Sequence, residues 1–359
     1  MKKVVVIVMS LILCLMIGQP VLACTILSVE KDGRILVGNN EDYMYSLASQ
    51  YWIAAPENEN YGRICFAISG YVQGGMNEKG LFYDGATCPD STIPYEEGKP
   101  ELGMDMGEVI ISKCATVEEV IEFVKDYNIT QQYTDHLLFA DATGASVVIE
   151  WMENDMKIVR KEGDYQVATN FWLSNPELGG YPCNRYAKAE EMLQEDRDDI
   201  TVNLVSDILE ATAQSWNGGG TKYSNVYDLN NQEVVIYTRG DFSKYIKLSL
   251  VDELAKLKQG EITTFNIDNL FENNELVQDV SNLSNTNEKS ITSAPRNTSA
   301  LMKDEKESKL DTANMNTQTS NVEDNKMYVI YGIVLIITLT AIITLVVLYK
   351  RRSFGRKID

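Results

Sequence analysis

Histidine is almost absent. His136, in TDHLLFADATG, is the one histidine among 359 residues. A Ser-His-Asp or Cys-His machine would have to rest on that ring, and its place at the start of a short apolar segment reads as structural or surface. Zinc hydrolysis of the His-rich kind lacks ligands, and the six cysteines include no CxxC pair to supply them. G-x-S-x-G, the Walker A loop and G-x-G-x-x-G are missing as well. No internal repeat is visible. Basic charge is also scarce: 32 Lys and Arg face 52 Asp and Glu, a net charge of −20. That balance argues against a nucleic-acid partner. A hydrolase built on this chain needs a base other than histidine, and neither a metal nor a cofactor is expected.

What is present starts with the two ends. Residues 1–23 read as a signal peptide. Lys2 and Lys3 precede an apolar run from Val4 to Ile17, a Gly-Gln-Pro break follows, and Val21 and Ala23 stand where a signal peptidase takes small residues. Residues 327–348, MYVIYGIVLIITLTAIITLVVL, carry no charge and are long enough to cross a hydrocarbon core of about 30 Å as a helix. The tail 349–359 holds Lys350, Arg351, Arg352, Arg356 and Lys357, so the positive-inside rule puts it in the cytoplasm. Between them, residues 273–326 are polar and nearly free of aromatics, a stalk that cannot bury enough apolar surface to fold. The expectation is a cell-membrane protein with one span. Its folded body, 24–272, lies outside, and the membrane is a partner through the C-terminal helix.

The body alternates short β segments with helices. CTILSVE and RILVGNN flank the turn KDG. YWIAA, RICFAISGYV and GLFYDGAT continue as strands. MGEVIISKCA and TVEEVIEFVKDY read as helices, the second with Thr116 as cap and Glu119 completing a capping box. HLLFAD, ASVVIEWM, MKIVRK and YQVATNFW are strands. NRYAKAEEMLQ and VNLVSDILEATAQS are helices, and YSNVYDL, EVVIYTR and YIKLSLV close the body. Strands and helices come in blocks, which predicts α+β with antiparallel sheets covered by helices.

Five cysteines remain once Cys14 leaves with the leader: Cys24, Cys65, Cys88, Cys114 and Cys183. An odd number outside the cell points to a free thiol or an intermolecular bond. Cys24 is the special one. Cleavage after Ala23 gives it a free α-amine beside its thiol. An α-amine with a pKa near 8 is partly neutral at pH 7, so it can take the thiol proton and return it to a leaving amine. Such a site also needs a group to orient the amine, donors for an oxyanion, and a cation or dipole near the sulfur.

Several stretches now carry a resemblance. The Cys24-Thr25 start with DGRILVGNNEDY, then GGMNEKGLFYDG, VATNFW, CNRYAKAEEML and YSNVYDLNNQEVVIY, resemble in order the segments of the choloylglycine hydrolase and penicillin V acylase family. These are linear-amide hydrolases of the N-terminal-nucleophile superfamily. The resemblance implies a four-layer αββα sandwich and an N-acyl amide as small-molecule substrate, hydrolysed through a thioester on Cys24. By position it makes Cys24 nucleophile and base, Asp42 the group that orients the amine, Asn170 an oxyanion donor and Arg185 the charge at the reacting centre. It also allows a homo-oligomer.

Two positions depart from the pattern. Asn39 stands where many members have arginine, and Thr87 stands where bile-salt hydrolases place an oxyanion asparagine. Asn39, Thr87 and Asp84 are read as substrate-binding, while Tyr83 and Trp172 either line the pocket or pack. The substrate stays open between a bile-salt conjugate, a penicillin-like amide, an N-acyl amino acid and a cell-wall or signalling amide. An acyltransferase of the same fold is one alternative. A surface binding protein, tethered or lipid-anchored through Cys24, is another.

Overall fold

The computed structural model describes residues 24–130, 135–195, 199–273 and 277–279. The predicted signal peptide, the apolar segment 327–348, the basic tail and most of the predicted stalk lie outside the described residues. No helix among the described residues is long and apolar enough to cross a membrane.

The chain opens with β1 (Thr25–Lys31), β2 (Arg34–Met44), β3 (Ser49–Ala54), β4 (Arg63–Ile68), β5 (Tyr71–Asn77) and β6 (Phe82–Thr87). The short β7 (Glu101–Leu102), helices α1 (Met106–Lys113) and α2 (Val117–Val124), and β8 (Asn128–Ile129) follow. Then come β9 (Asp135–Ala140), β10 (Ser146–Met152), β11 (Asp155–Arg160) and β12 (Tyr165–Ala168), and the helices α3 (Asn184–Leu193) and α4 (Val202–Thr212). The last part holds β13 (Ser215–Trp216), β14 (Gly219–Asp228), β15 (Glu233–Thr238), β16 (Asp241–Ser249), α5 (Leu250–Leu254), β17 (Ile262–Asn266), α6 (Ile267–Asn273) and β18 (Gln278–Asp279).

Two antiparallel sheets form. The first runs β12-β1-β2-β14-β15-β16-β18, with β13 on β14, and the second runs β11-β10-β9-β6-β5-β4-β3-β17. Ile26, Val37, Tyr223 and Tyr227 of the first sheet share one apolar cluster with Phe66, Phe82 and Leu138 of the second, so the main core lies between the sheets. The opposite faces are covered by helices. Ile110, Ile111, Val120 and Ile121 of α1 and α2 pack with Tyr83 and Phe139. Val205, Ile208 and Leu209 of α4 pack with Leu27, Leu36 and Val226. The order helix, sheet, sheet, helix is the expected αββα sandwich.

Local chemistry explains the elements. Asp32 and Gly33 both have positive φ, the two-residue turn whose twist suits a β1–β2 hairpin. Strand β2 sits centrally between β1 and β14. Its period of two sends Val37, Asn39 and Glu41 toward the second sheet and Leu36, Gly38, Asn40 and Asp42 toward α4. Gly38 lets the helix approach, since a Cβ there would stand 2.5 Å from Val205 Cγ1. Asn40 ties that helix down by donating to Leu209 O at 2.8 Å while accepting from Ser224 Oγ at 2.6 Å.

The structure corrects several boundaries. RICFAISGYV is a hairpin rather than one strand, because Ser69 and Gly70 adopt positive φ and turn the chain between β4 and β5. YQVATNFW is a strand only to Ala168, so Asn170 lies beyond its end. At α2, Thr116 Oγ1 accepts from Glu119 N as expected, but the Glu119 carboxylate takes Ala115 N, one residue before the cap. The body also does not close on YIKLSLV. It continues through β17, which extends the second sheet beside β3, and reaches β18, which pairs with β16. Residues 277–279 of the predicted stalk thus belong to the body.

Candidate active site

Cys24 precedes β1, at the edge of the inter-sheet core. It is half-buried, and its Sγ lies 3.5 Å from Glu41 Oε2. Register explains the contact. Thr25 pairs with Asn40 across the β1–β2 hairpin, so the next rung sets Cys24 beside Glu41, and Tyr223 pairs with Glu41 from the other side. Asn39 and Asn225 form the rung behind. Asp84 enters from β6 of the second sheet, opposite Gly74. A Cβ on Gly74 would meet Asp84 Oδ2 at 2.4 Å, so the glycine makes the room that this carboxyl occupies.

This interior is acidic. Glu41, Asp42 and Asp84 are all fully buried. A hydrogen bond joins the Glu41 and Asp84 carboxyls, which requires a proton on one of them. Burial, then the charge and hydrogen bond of Glu41, push Asp84 well above the carboxylate range, so Asp84 holds that proton. Burial also lifts Glu41, to about 7, against the hydrogen bonds from Asp84, Asn39 and Cys24. Asn39 Nδ2 donates to Glu41 Oε1 at 3.2 Å. Burial, reinforced by Glu41, Asp42 and Asp84, raises the Cys24 thiol well above its usual value. The resting sulfur is therefore a neutral thiol that needs a proton acceptor.

Asp42 points to the other face of β2. Its Oδ1 accepts from Thr221 Oγ1 at 2.5 Å, and its buried Oδ2 has no hydrogen-bond partner. Burial raises it to about 8, with Thr221 and Arg185 opposing. Arg185 is the second residue of α3, where the helix dipole disfavours a cation. It is spent on the site instead. Nη1 donates to the Cys24 carbonyl oxygen and, at 3.0 Å, to Thr25 Oγ1, while Nη2 donates to Asn170 Oδ1 at 3.0 Å. Asn170 Nδ2 in turn donates to the Thr87 carbonyl at 2.8 Å. That amide carries a second hydrogen available to a reacting oxygen.

The comparisons with known proteins agree with one another. A family model, linear amide C-N hydrolases of the choloylglycine hydrolase family, matches residues 24–202. The chain belongs to that family. It is a hydrolase of linear amide C–N bonds, which decides against a surface protein without catalysis. The structure is similar to an arginine-to-leucine variant of conjugated bile acid hydrolase from Clostridium perfringens, with a TM-score of 0.54 at 20% identity, covering 68% of this chain and 97% of that one. It is also similar to penicillin V acylase from Agrobacterium tumefaciens, with a TM-score of 0.56 at 15% identity, covering 67% and 90%. These likenesses carry the N-terminal-nucleophile fold. No curated protein matches the chain in sequence.

The family residues named from sequence fall into three sets. Cys24, Asp42, Asn170 and Arg185 converge, linked through the contacts above. Asn39 and Asp84 converge too, but on Glu41. Thr87 is exposed, and its side chain hydrogen-bonds Asp135 while its carbonyl holds Asn170. Tyr83 and Trp172 pack rather than line the site: Tyr83 lies under α1 against Gly107, and Trp172 donates to Pro89 O from full burial. The Asn77 of NEKGL is architectural, since its amide donates to Ile111 and Cys114 carbonyls at the end of α1. All five described cysteines are free thiols, Cys88 and Cys183 included. Among the described residues no cluster of His, Cys, Asp and Glu is arranged to hold a metal ion.

Sequence reasoning missed Glu41 and Tyr223. The signal for Glu41 was available: in GNNED, strand alternation places it with Asn39 on the face opposite Asp42. Tyr223 Oη is buried without a partner and faces Cys24, Glu41 and Asp84. Only the register of a distant strand reveals it.

Proposed function

We propose that this hydrolase is an exported, membrane-anchored cysteine amidase whose nucleophile is the N-terminal Cys24 of the processed chain. Removal of residues 1–23 frees the α-amine, and residues 327–348 tether the body to the cell membrane with the basic tail inside. Signal cleavage is then also activation. The observation that carries the reading is Asp42 Oδ2, a buried acceptor without a donor, beside a residue whose nitrogen becomes a donor-rich amine on cleavage. A buried carboxylate oxygen left unpaired is costly, and the amine relieves that cost.

The chemistry follows. The sulfur attacks the acyl carbon of an N-acyl amide. The free hydrogen on Asn170 Nδ2 stabilises the oxyanion. Arg185 fixes the Cys24 carbonyl and Asn170 together, so nucleophile and donor keep their spacing. The amine, oriented by Asp42, takes the thiol proton as sulfur attacks and gives it to the leaving nitrogen, and water resolves the thioester. A panel of bile-salt, penicillin, N-acyl amino acid and cell-wall amides, offered to the processed protein, tests this. Cys24→Ala is expected to lose all turnover, and a Cys24→Ala protein that still turns over would refute the mechanism. Mass spectrometry of the mature N-terminus supplies the second arm: a free Cys24 is expected, and a diacylglyceryl mass overturns the reading.

A further inference from the structure

Behind the sulfur lies a set of acceptors that the chain itself does not satisfy. The rungs Glu41–Tyr223 and Asn39–Asn225 are neighbours, and their side chains face the second sheet. Asn39 donates to Glu41 Oε1 at 3.2 Å and Asn225 donates to Tyr227 Oη at 3.1 Å, so each amide is held with its oxygen left over. Asn39 Oδ1, Asn225 Oδ1 and Tyr223 Oη are buried with no partner. Buried polar atoms are nearly always paired, and three together beside a nucleophile point to a ligand that supplies donors.

The charge there is negative. Glu41 is faced by Cys24 from the start of β1, Asp42 on its own strand, Asp84 from β6, Asp135 from β9, and Tyr223 and Tyr227 from β14. Glu41 and Asp84 share a proton, so one carboxylate charge remains once Glu41 ionises, near pH 7. The cations nearby are engaged elsewhere. Arg185 holds the Cys24 carbonyl, Thr25 and Asn170, and its charge acts on Asp42. The charge of His136 acts on Asp135. Asn39, where the family pattern has arginine, brings none.

Turnover makes the deficit larger. At rest the thiol donates to Glu41 Oε2 at 3.5 Å. Once the sulfur has given its proton to the amine, and while it carries an acyl group, that oxygen loses the donor. The Asp42 backbone N–H is directed at the sulfur. A buried carboxylate oxygen without a donor is costly, and a cation within a few ångströms removes that cost. Among the described residues no acidic cluster is arranged to hold a metal ion. An ammonium suits the set better, with three donors and no acceptor.

We propose that the acyl part of the substrate carries an ammonium on its α or β carbon, seated against the Glu41 carboxylate and the oxygens of Asn39, Asn225 and Tyr223. The favoured substrates are then amides in which an amino acid supplies the carbonyl, a class assigned on the footing that Cys24 is the nucleophile. The side follows from the amine. The leaving nitrogen takes its proton from the Cys24 amine beside Asp42, and Asp42 and Glu41 point to opposite faces of β2, so the acyl substituent has the Glu41 side. The reach follows from the sulfur. An α- or β-ammonium stays close to the carbonyl carbon that the sulfur bonds, and Glu41 Oε2 is 3.5 Å from that sulfur. Glu41 is thereby a specificity residue, and the proton transfers remain those of the amine.

Two electrophiles test this. Processed full-length protein is labelled at pH 7 with the chloromethyl ketone of alanine and with that of propionic acid, which lacks only the amino group. The Cys24 peptide is quantified by mass spectrometry, so Cys183 does not interfere, and each rate is divided by that of the same ketone with N-acetylcysteine. The corrected preference for the alanine ketone is expected to be at least about 10²-fold. It is expected to shrink at pH 5, where Glu41 is protonated. Glu41→Gln is expected to lose at least about tenfold of the preference, and Glu41→Asp, which keeps a carboxylate, to retain part of it. Melting curves establish that both variants fold. No preference in the native protein, or the native preference in folded Glu41→Gln, overturns the inference while Cys24 labelling keeps the nucleophile. Cys24 left unlabelled by both ketones sinks the nucleophile, and the substrate class with it.

Discussion

Two buried ionisable clusters sit in this molecule, and they are built on opposite plans. Around Glu150 the hydrogen bonding is saturated. Its carboxylate takes His136 Nδ1 at 3.1 Å, Leu173 N at 2.7 Å, Ser174 N at 3.1 Å and the Ser174 hydroxyl, and Cys88 hydrogen-bonds the same imidazole. Around Cys24 it is not. Asp42 Oδ2, Asn39 Oδ1, Tyr223 Oη and Asn225 Oδ1 are buried without partners. Buried polar atoms are nearly always paired. The Glu150 carboxylate obeys that rule and organises a loop, since Leu173 and Ser174 directly follow the segment that presents Asn170. The second departs from it at the nucleophile, where unspent hydrogen-bonding capacity serves an amine, a substrate and moving protons.

The contrast breaks most sharply at Glu150. Glu150→Leu leaves a buried histidine without its countercharge and is expected to cost about 3–5 kcal/mol. Thermal unfolding measures it, as a fall in Tm of roughly 10 °C. The cysteine site gives the reverse pattern. Asp42→Asn keeps the Thr221 contact in shape but cannot hold an ammonium. Amide hydrolysis is expected to fall at least about 10²-fold with Tm nearly unchanged. A large Tm loss in Asp42→Asn, or intact stability in Glu150→Leu, would erase the distinction between the two clusters.

The pH dependence sharpens it. Burial opposes the charge on His136, but Cys88 and Glu150 win and raise it to about 10, with Glu150 lowered in return. A raised histidine contributes stability that is full below its unfolded value near 6.5 and is lost as pH rises through about 10. Glu150 contributes stability above its unfolded value, lost as pH falls through the lowered folded one. Glu41 has the opposite sign. Its folded value of about 7 lies above an unfolded value near 4.3, so it begins to cost stability above about pH 4 and costs most above 7. Glu41→Gln is therefore expected to leave stability unchanged at pH 4.5 and to raise it at pH 8 by on the order of 1–2 kcal/mol, read as a higher Tm. A lower Tm at pH 8 would contradict this sign.

Much of this was legible in the sequence, and the limits have physical causes. The β1–β2 hairpin was readable because KDG is turn chemistry, and the block order of strands and helices pointed to α+β, while the αββα sandwich followed from the family resemblance. Asp42, Asn170 and Arg185 were readable only through the resemblance of their segments to the family's, and Cys24 also through its place at the expected cleavage site. What stayed hidden depends on pairing over long separations. Glu41 meets Asp84 across two sheets, and Tyr223 reaches the same spot from a strand some 180 residues later. The second half of RICFAISGYV was masked because serine turned through positive φ beside glycine. The His136–Glu150 pair was invisible because a lone histidine in an apolar strand says nothing about which acid the neighbouring strand presents. Only the β9–β10 register sets Glu150 opposite His136.

The smallest expected effect separates a saturated network from an unsaturated one. Ser174→Ala removes one hydroxyl donor from Glu150, but His136 and two backbone amides still serve the carboxylate. Because the remaining donors cover both oxygens, the loss is that of one hydrogen bond, about 1 kcal/mol in stability, with amide hydrolysis within about twofold of native. Denaturant unfolding reads the first and steady-state kinetics the second. A loss approaching that of Glu150→Leu would mean that the hydroxyl, rather than the imidazole, holds this carboxylate in place. The loop carrying Asn170 would then depend on a single side chain instead of a redundant set.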